Sequence, residues 1–390
     1  MIKHTFLRDV TQKSRLYLGL IKAQRTQKPA PLIMNLYITG RCNAICDYCY
    51  VELVHNPEKE VGREFTLDEW KTLIDDLYAR GTRFFALVGG EPLLYPHIDE
   101  LVEHIAAKNV FLNLTTNGYL IHKHIDAARK ATEVSVSLDG EQVSNDRNRG
   151  KRNFELAVAG IDYAVKNGAK VRICTTVTRH NFDQIDFLVK FAEERNIYIS
   201  FTPINDAPDV REEATEGMRL SSERIREFFA RLKEAKDRSP HVINSYANMD
   251  YMINYPIRYG DIIWRDGPHA NYYTQVCPYG RFQYLLSSTG EIFPCLNMWN
   301  NKSYFTSKNI FDDGLDATLE HASYQNLKCQ CCSFANGADW NSVTTLPWLL
   351  YGLKMTLKQA FIKPKILSQA GQGRGTNSAA KKTVSISAGK

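Results

Sequence analysis

Between positions 32 and 202, six short runs rich in apolar, β-branched and aromatic residues alternate with stretches of helical spacing. The runs cover 32–39, 83–88, 110–115, 133–138, 170–177 and 197–202. Strands and helices in strict alternation pair in parallel through right-handed crossovers, so the units either close toward a barrel or open into a doubly wound sheet. In both architectures the loops leaving the C-terminal ends of the strands gather on one face, and chemistry belongs there. Several helix ends are legible. Thr66 followed by Glu69 forms a capping box ahead of Leu67, Trp70, Leu73, Ile74 and Leu77, and Gly81 stops that helix. Further helices are predicted over 154–166, from Asn181 to near Arg195, and over 221–236.

Composition narrows the class. With 390 residues, 44% of them hydrophobic and 24% charged, the chain is an ordinary globular one, neither disordered nor collagen-like. No apolar run approaches the roughly 20 residues of a bilayer span, and the run over 16–21 has no cleavage site behind it, so a cytoplasmic protein is expected. The nine cysteines fall mostly into two short-spaced groups. An odd number without a secretion signal favours metal ligation over disulfides. The net charge of +6 is unevenly spread: residues 1–30 carry seven cations against one acid, and residues 343–390 carry eight cations and no acid, which leaves 31–342 acidic.

The first cysteine group is Cys42, Cys46 and Cys49, on the loop directly after the first strand. Thiolates are soft ligands suited to iron–sulfur clusters or zinc. Three on one loop hold three irons of a cubane and leave the fourth open. The alternative is a zinc site with His55 or a distant cysteine as fourth ligand, although zinc motifs usually pair two close ligands with two more at similar spacing.

The CxxxCxxC spacing with Tyr48 before its last cysteine resembles the signature of the radical S-adenosylmethionine (radical SAM) superfamily. Three further segments match in order: Gly89-Gly90-Glu91-Pro92, Thr115-Thr116-Asn117-Gly118 and Ser135-Val136-Ser137-Leu138-Asp139-Gly140 resemble the family's GGEP, TNG and SLDG segments. The resemblance covers about 31–205. It implies a partial (β/α)6 TIM-like barrel of α/β class, a [4Fe-4S] cluster on Cys42, Cys46 and Cys49, and S-adenosylmethionine contacted by Tyr48, Gly89, Gly90, Glu91, Asn117, Ser137, Asp139 and Arg149. Arg147 is a further candidate for the methionyl carboxylate. Glycines 89 and 90 let backbone approach a ligand closely, and Glu91 offers a carboxylate to an ammonium group. Gly89-Gly90-Glu91-Pro92 also reads as an ordinary turn, and Asn117-Gly118 reads as a turn as readily as a ligand contact.

The second group begins with Cys277, Gly290 and Cys295, then Cys329, Cys331 and Cys332. This resembles the opening of the SPASM extension of the same superfamily, shortened to a twitch-like form. The resemblance implies one auxiliary [4Fe-4S] cluster held by Cys277, Cys295, Cys329 and either Cys331 or Cys332, with Cys332 preferred. A structural zinc is the alternative. Residues 284–293 read as a hairpin turning at Ser288-Thr289-Gly290. Cys174 reads as a buried small hydrophobe or, alternatively, as a lumen thiol donating a hydrogen atom.

The resulting organisation is a basic amphipathic segment (1–30), a radical SAM core (31–240), an auxiliary-cluster domain (241–342), a second basic amphipathic helix (343–370) and a disordered tail (371–390). Both basic segments fit an anionic membrane surface or the outside of a barrel. No nucleic-acid partner is expected. The resemblance implies an enzyme that cleaves S-adenosylmethionine to a 5′-deoxyadenosyl radical and abstracts hydrogen from an unactivated C–H bond, with a reductant such as flavodoxin or ferredoxin. Two substrate classes follow, a lipid or amphiphile at the membrane and a peptide. The 30 or so residues before the first strand are too few for a folded leader-binding domain, which inclines the sequence reading to the lipid. A non-catalytic zinc module is the third reading.

Overall fold

The structure, a computed structural model, describes residues 2–25, 30–51, 62–204, 215, 217–272, 277–299 and 303–333. The segments 343–370 and 371–390, and His55, lie outside the described residues. Six strands alternate with helices: β1 (Ile33–Tyr37), α2 (Leu67–Ala79), β2 (Phe84–Val88), α3 (Ile98–Ala107), β3 (Phe111–Thr116), α4 (Ile125–Lys130), β4 (Glu133–Ser137), α5 (Gln142–Arg149), α6 (Asn153–Lys166), β5 (Val171–Val177), α7 (Ile185–Arg195) and β6 (Tyr198–Pro203). They are preceded by α1 (Ile2–Arg25) and followed by α8 (Ser222–Arg238) and α9 (Tyr246–Ile253). The six strands pair in parallel and in sequence order, the arrangement of a partial TIM-like barrel. The capping box forms as predicted: Thr66 Oγ1 accepts from the Glu69 amide, and the Glu69 carboxylate accepts from the Thr66 amide.

Apolar residues at helical spacing in α2, Trp70, Leu73, Ile74 and Leu77, share one core with Met34, Leu36, Phe85 and Leu87 of the strands. Val134, Val136, Ile173 and Ile199 pack into that same core, so the alternation along each strand turns Glu133, Ser135, Arg172, Cys174 and Ser200 to the inner face. There Arg172 donates to Glu133 at 2.7 Å, Ser135 at 2.7 Å, Ser200 at 2.7 Å and the Cys174 sulfur at 3.2 Å. Cys174 is therefore part of a polar lumen rather than of the apolar core.

Two features depart from a self-contained barrel with a separate C-terminal domain. The edge of β1 is covered by a hairpin from the second cysteine region: β8 (Gln283–Leu286) pairs in parallel with β1, and β9 (Ile292–Phe293) runs antiparallel to β8. An open strand edge would otherwise present unpaired backbone groups. At the other edge, Ile199 of β6 bonds His241 and Ile243, so the chain past residue 240 remains joined to the sheet. β7 (Ile262–Trp264) pairs with β10 (Cys329–Cys332), and the short helices α10 (Leu296–Trp299), α11 (Ile310–Asp313) and α12 (Leu315–His321) lie between.

The N-terminal helix α1 buries Leu16, Leu20 and Ala23 against Leu32, Ile33 and Phe282, beneath the start of the sheet. Gln12 completes the contact, donating to Asn109 and accepting from Thr132. No helix among the described residues is long and apolar enough to cross a membrane.

Candidate active site

The loop of residues 40–51 leaves the C-terminal end of β1, and each motif segment predicted to serve the site has a hydrogen bond to this loop or to the residue entering it. From the strand-two loop, the Gly90 amide donates to Thr39 O at 2.8 Å and the Glu91 amide to Arg41 O at 2.7 Å. A Cβ on Gly90 would collide with the backbone of Arg41, so the approach requires glycine there. From strand three, Asn117 Nδ2 donates to Asn43 Oδ1 at 2.7 Å. From strand four, Asp139 Oδ2 accepts the Tyr48 hydroxyl at 2.7 Å.

Asp139 is fully buried and acts as the hub. It also takes Arg149 Nη2 at 3.1 Å, Asn148 Nδ2 at 3.3 Å and the Thr176 amide at 2.9 Å, while Arg149 Nε lies 2.9 Å away as an ion-pair contact off the hydrogen-bond axis. Arg149 in turn reaches the Cys46 sulfur at 4.0 Å and the Tyr48 ring at 5.4 Å. Ser137 sits half-buried at the end of β4 beside Cys174, and Arg147 is exposed on α5.

Glu91 is buried, and its carboxylate accepts Thr116 Oγ1 at 2.7 Å, the Asn117 amide at 2.7 Å and the Leu93 amide at 3.1 Å. Burial outweighs these bonds and pushes its pKa up to about 7. Burial likewise pushes the Cys42 thiol up to about 11 and the Cys49 thiol up to about 12. As free thiols the two would be neutral. A bound metal centre converts them to thiolates, and the Ala44 amide 3.4 Å from the Cys42 sulfur is placed to support that charge.

The second group is equally well defined. All five of its cysteines border one pocket, with Ile262, Met298, Leu327, Tyr279 and Tyr324 as apolar or aromatic walls. Burial raises Cys277 and Cys295 well above the usual thiol range. Asn297 Nδ2 donates to the Cys332 sulfur at 3.2 Å, and its buried Oδ1 has no partner among the described residues. Aromatic side chains link the neighbourhoods of the two cysteine groups. Tyr50, next to Cys49, bonds Tyr37 at 2.6 Å between hydroxyls, and the Tyr37 ring lies 4.4 Å from Trp299 at the end of α10, which begins after Cys295.

Among the described residues, no group of three or more His, Cys, Asp and Glu is positioned to hold a single metal ion. A mononuclear zinc draws its ligands to about 2.3 Å from one point, whereas in a cubane each thiolate binds a different iron. The three thiols on the loop after β1 and the cysteines of the second pocket are soft donors of the kind that iron–sulfur clusters use.

Sequence reasoning missed several residues that hold the site. Glu64 accepts Thr39 Oγ1 and the Gly40 amide at the root of the loop, and it stands in no recognisable motif. Asn145 and Asn148 were missed although they share with Arg149 the buried face of an otherwise polar helix, and the i, i+3, i+4 spacing of the three beside the strand-four segment was the available signal.

Residues 36–192 match the profile described as the Radical SAM superfamily. The chain is 31% identical over 197 residues to Fe-coproporphyrin III synthase of Methanosarcina barkeri, a match covering 49% of this chain and 47% of that enzyme, so it spans about half the length of that relative. It is 26% identical over 297 residues to mycofactocin maturase MftC of Mycolicibacterium smegmatis, covering 73% of this chain and 69% of the relative. In fold it resembles SuiB of Streptococcus suis, solved bound to its precursor peptide SuiA, with a TM-score of 0.61 and 17% identity over 86% of this chain and 77% of that one. Over residues 36–192, where three cysteines sit on a loop to which the segments after β2, β3 and β4 are all bonded, the chain carries the match to the radical SAM superfamily.

Proposed function

We propose that the chain binds S-adenosylmethionine at a [4Fe-4S] cluster on Cys42, Cys46 and Cys49, carries an auxiliary cluster in the second cysteine pocket, and modifies a peptide. The carrying observation is the convergence of Gly90, Glu91, Asn117 and Asp139 on the cysteine loop. When bound, the cluster and nucleotide together supply one-electron cleavage of a carbon–sulfur bond and hydrogen-atom abstraction from substrate. The chain's own residues set the geometry. Gly89 and Gly90 let the strand-two loop pack against the backbone of Thr39 and Arg41, Asp139 orients Tyr48 and Arg149, and Arg149 holds positive charge near the Cys46 sulfur. Glu91, whose carboxylate accepts from Thr116, Asn117 and Leu93, would offer its remaining acceptor capacity to the nucleotide's ammonium group.

A peptide substrate is favoured by the match to mycofactocin maturase, which extends past the barrel over 73% of this chain. The competing class, a lipid at an anionic membrane, draws on the basic ends. However, α1 turns Leu16, Leu20 and Ala23 toward the barrel rather than outward.

Anaerobic reconstitution followed by iron, sulfide and zinc analysis and an assay for 5′-deoxyadenosine tests the reading. The expected result is iron for two cubanes and nucleotide cleavage under strong reductant. A colourless protein holding zinc overturns it.

A pH profile adds an independent check. The folded pKa of Glu91 is raised, so it gains charge only as pH rises through about 7. S-adenosylmethionine is therefore expected to bind more weakly in mildly acidic than in mildly alkaline buffer, and Glu91→Gln should flatten that slope. An unchanged slope in the variant would remove Glu91 from the ammonium site.

A further inference from the structure

The cysteine loop and the helix beside it carry large apolar side chains in open solvent. Ile45, between Cys42 and Cys46, is 65% exposed, and Val143 on α5 is 78% exposed. Apolar residues grouped on a surface with charges around them are the usual composition of a docking face. Loop and helix form one surface here. The Asp47 amide donates to Asn148 O at 3.0 Å, and a Cβ on Gly150, at the end of α5, would sit 3.4 Å from Ile45 O.

Helical spacing sorts the residues of α5. Asn145, Asn148 and Arg149 are buried, while Val143 and Arg147, four residues apart, share the opposite, outward side. Arg179, from the turn after β5, joins them: both it and Arg147 lie within electrostatic reach of His180, as does Asp47. Asn148 fixes His180 there, its Oδ1 lying 3.2 Å from the ring Nδ1. Arg147 and Arg179 are exposed, and neither guanidinium has a hydrogen bond or an ion pair among the described residues. Lys151 is exposed at the following turn, and against these cations stand the exposed acids Asp47 and Glu141. The face is therefore positive, although residues 31–342 as a whole are acidic.

A positive, partly apolar face on a negative body steers a negative partner to itself during encounter. Its position narrows the partner's kind. Cys46 stands between Ile45 and Asp47, so a protein seated here comes within one residue of a thiol assigned to the cluster. Electron-transfer partners need only such proximity, and they form small, weak interfaces.

Resting on the reading that Cys42, Cys46 and Cys49 hold the cluster, we propose that Ile45, Val143, Arg147 and Arg179 form the docking face for an acidic protein that carries a low-potential one-electron centre. One electron passes at each encounter: the carrier is oxidised by one electron and the cluster is reduced by one, with no proton or group transferred. The apolar pair excludes water at the middle of the contact, and the arginines meet the carrier's carboxylates at its rim.

The test uses the reconstituted full chain and a flavodoxin of net negative charge. Binding of the oxidised flavodoxin, measured by titration calorimetry, is expected to weaken as ionic strength rises. Val143→Glu and Arg179→Glu together should weaken it about tenfold, and should slow 5′-deoxyadenosine formation driven by limiting reduced flavodoxin by a similar factor. Cleavage driven by dithionite, a small reductant that needs no docking face, should match wild type, with circular dichroism reporting the fold. Arg179→Lys, which keeps the charge, should bind like wild type.

Equal affinity in wild type and the double variant, or wild-type binding indifferent to salt, overturns the docking face. Slower cleavage with dithionite in a folded double variant overturns it as well, because these residues would then serve the nucleotide site. Wild type that binds flavodoxin but cleaves no nucleotide with either reductant overturns the cluster reading, and the electron transfer with it.

Discussion

Replacing Cys46 with alanine is expected to reduce S-adenosylmethionine cleavage to the background of protein without iron, while leaving the chain folded and its second metal site filled. The fold should persist because Cys46 is a partly exposed loop residue outside the main core. The loop keeps its other anchors: Tyr48 on Asp139, the Asp47 amide on Asn148 O at 3.0 Å, and the bonds of Gly90 and Glu91 to Thr39 and Arg41. The variant therefore removes chemistry with little removal of packing. Cys46 is also the cysteine whose sulfur faces Arg149 at 4.0 Å, so its loss removes that contact. The measurements are 5′-deoxyadenosine formed under reductant, iron per chain, and the far-ultraviolet circular dichroism. Cleavage at wild-type rate in a folded Cys46→Ala protein would remove the cluster from the cysteine loop. Cleavage lost together with the fold would call for Cys42→Ala and Cys49→Ala as further variants.

Much of this site was legible before the structure because its parts are local. The six strand runs are found within one or two residues of their predicted ends, since alternation of the apolar residues is enforced by a core on one face and a lumen on the other. The motif segments lie at strand ends because parallel crossovers put all of those loops at one face. What the sequence concealed is long-range. Nothing in Gln283–Leu286 announces β1 as its partner; a hairpin is a local pattern, but the edge it covers depends on where the barrel stays open. Cys174 stood between a buried small hydrophobe and a lumen thiol, and its partners Arg172 and Ser200, which place it in the lumen, lie across neighbouring positions that its own residue type does not announce. The irregular register at Gln330, which sets Cys331 opposite Ile263 and Cys332 opposite Ile262, is marked by no residue type.

Asp139→Ala should be the most destabilising single change near the site. The carboxylate is wholly buried and collects a hydroxyl, an amide, a side-chain amide and a guanidinium, so its removal strips four donors at once and leaves Arg149 charged and enclosed, its side chain 8% exposed. Breaking a buried pair by deleting one partner costs about 3–5 kcal/mol, a large share of the roughly 5–15 kcal/mol that holds a typical domain together. A lowered melting temperature and denaturant midpoint are expected, with cluster yield falling because Tyr48 loses the bond that fixes the loop.

The double variant Asp139→Leu with Arg149→Met separates the two effects. Replacing both charges by apolar groups of similar volume removes the uncompensated cation and is often neutral or stabilising. The double variant should therefore recover much of the stability lost in Asp139→Ala, yet its cluster yield and nucleotide affinity should stay low, since neither the anchor of Tyr48 nor the cation near Cys46 returns. If cluster yield recovers along with stability, the Asp139–Arg149 pair is a folding device and has no separate part in organising the site.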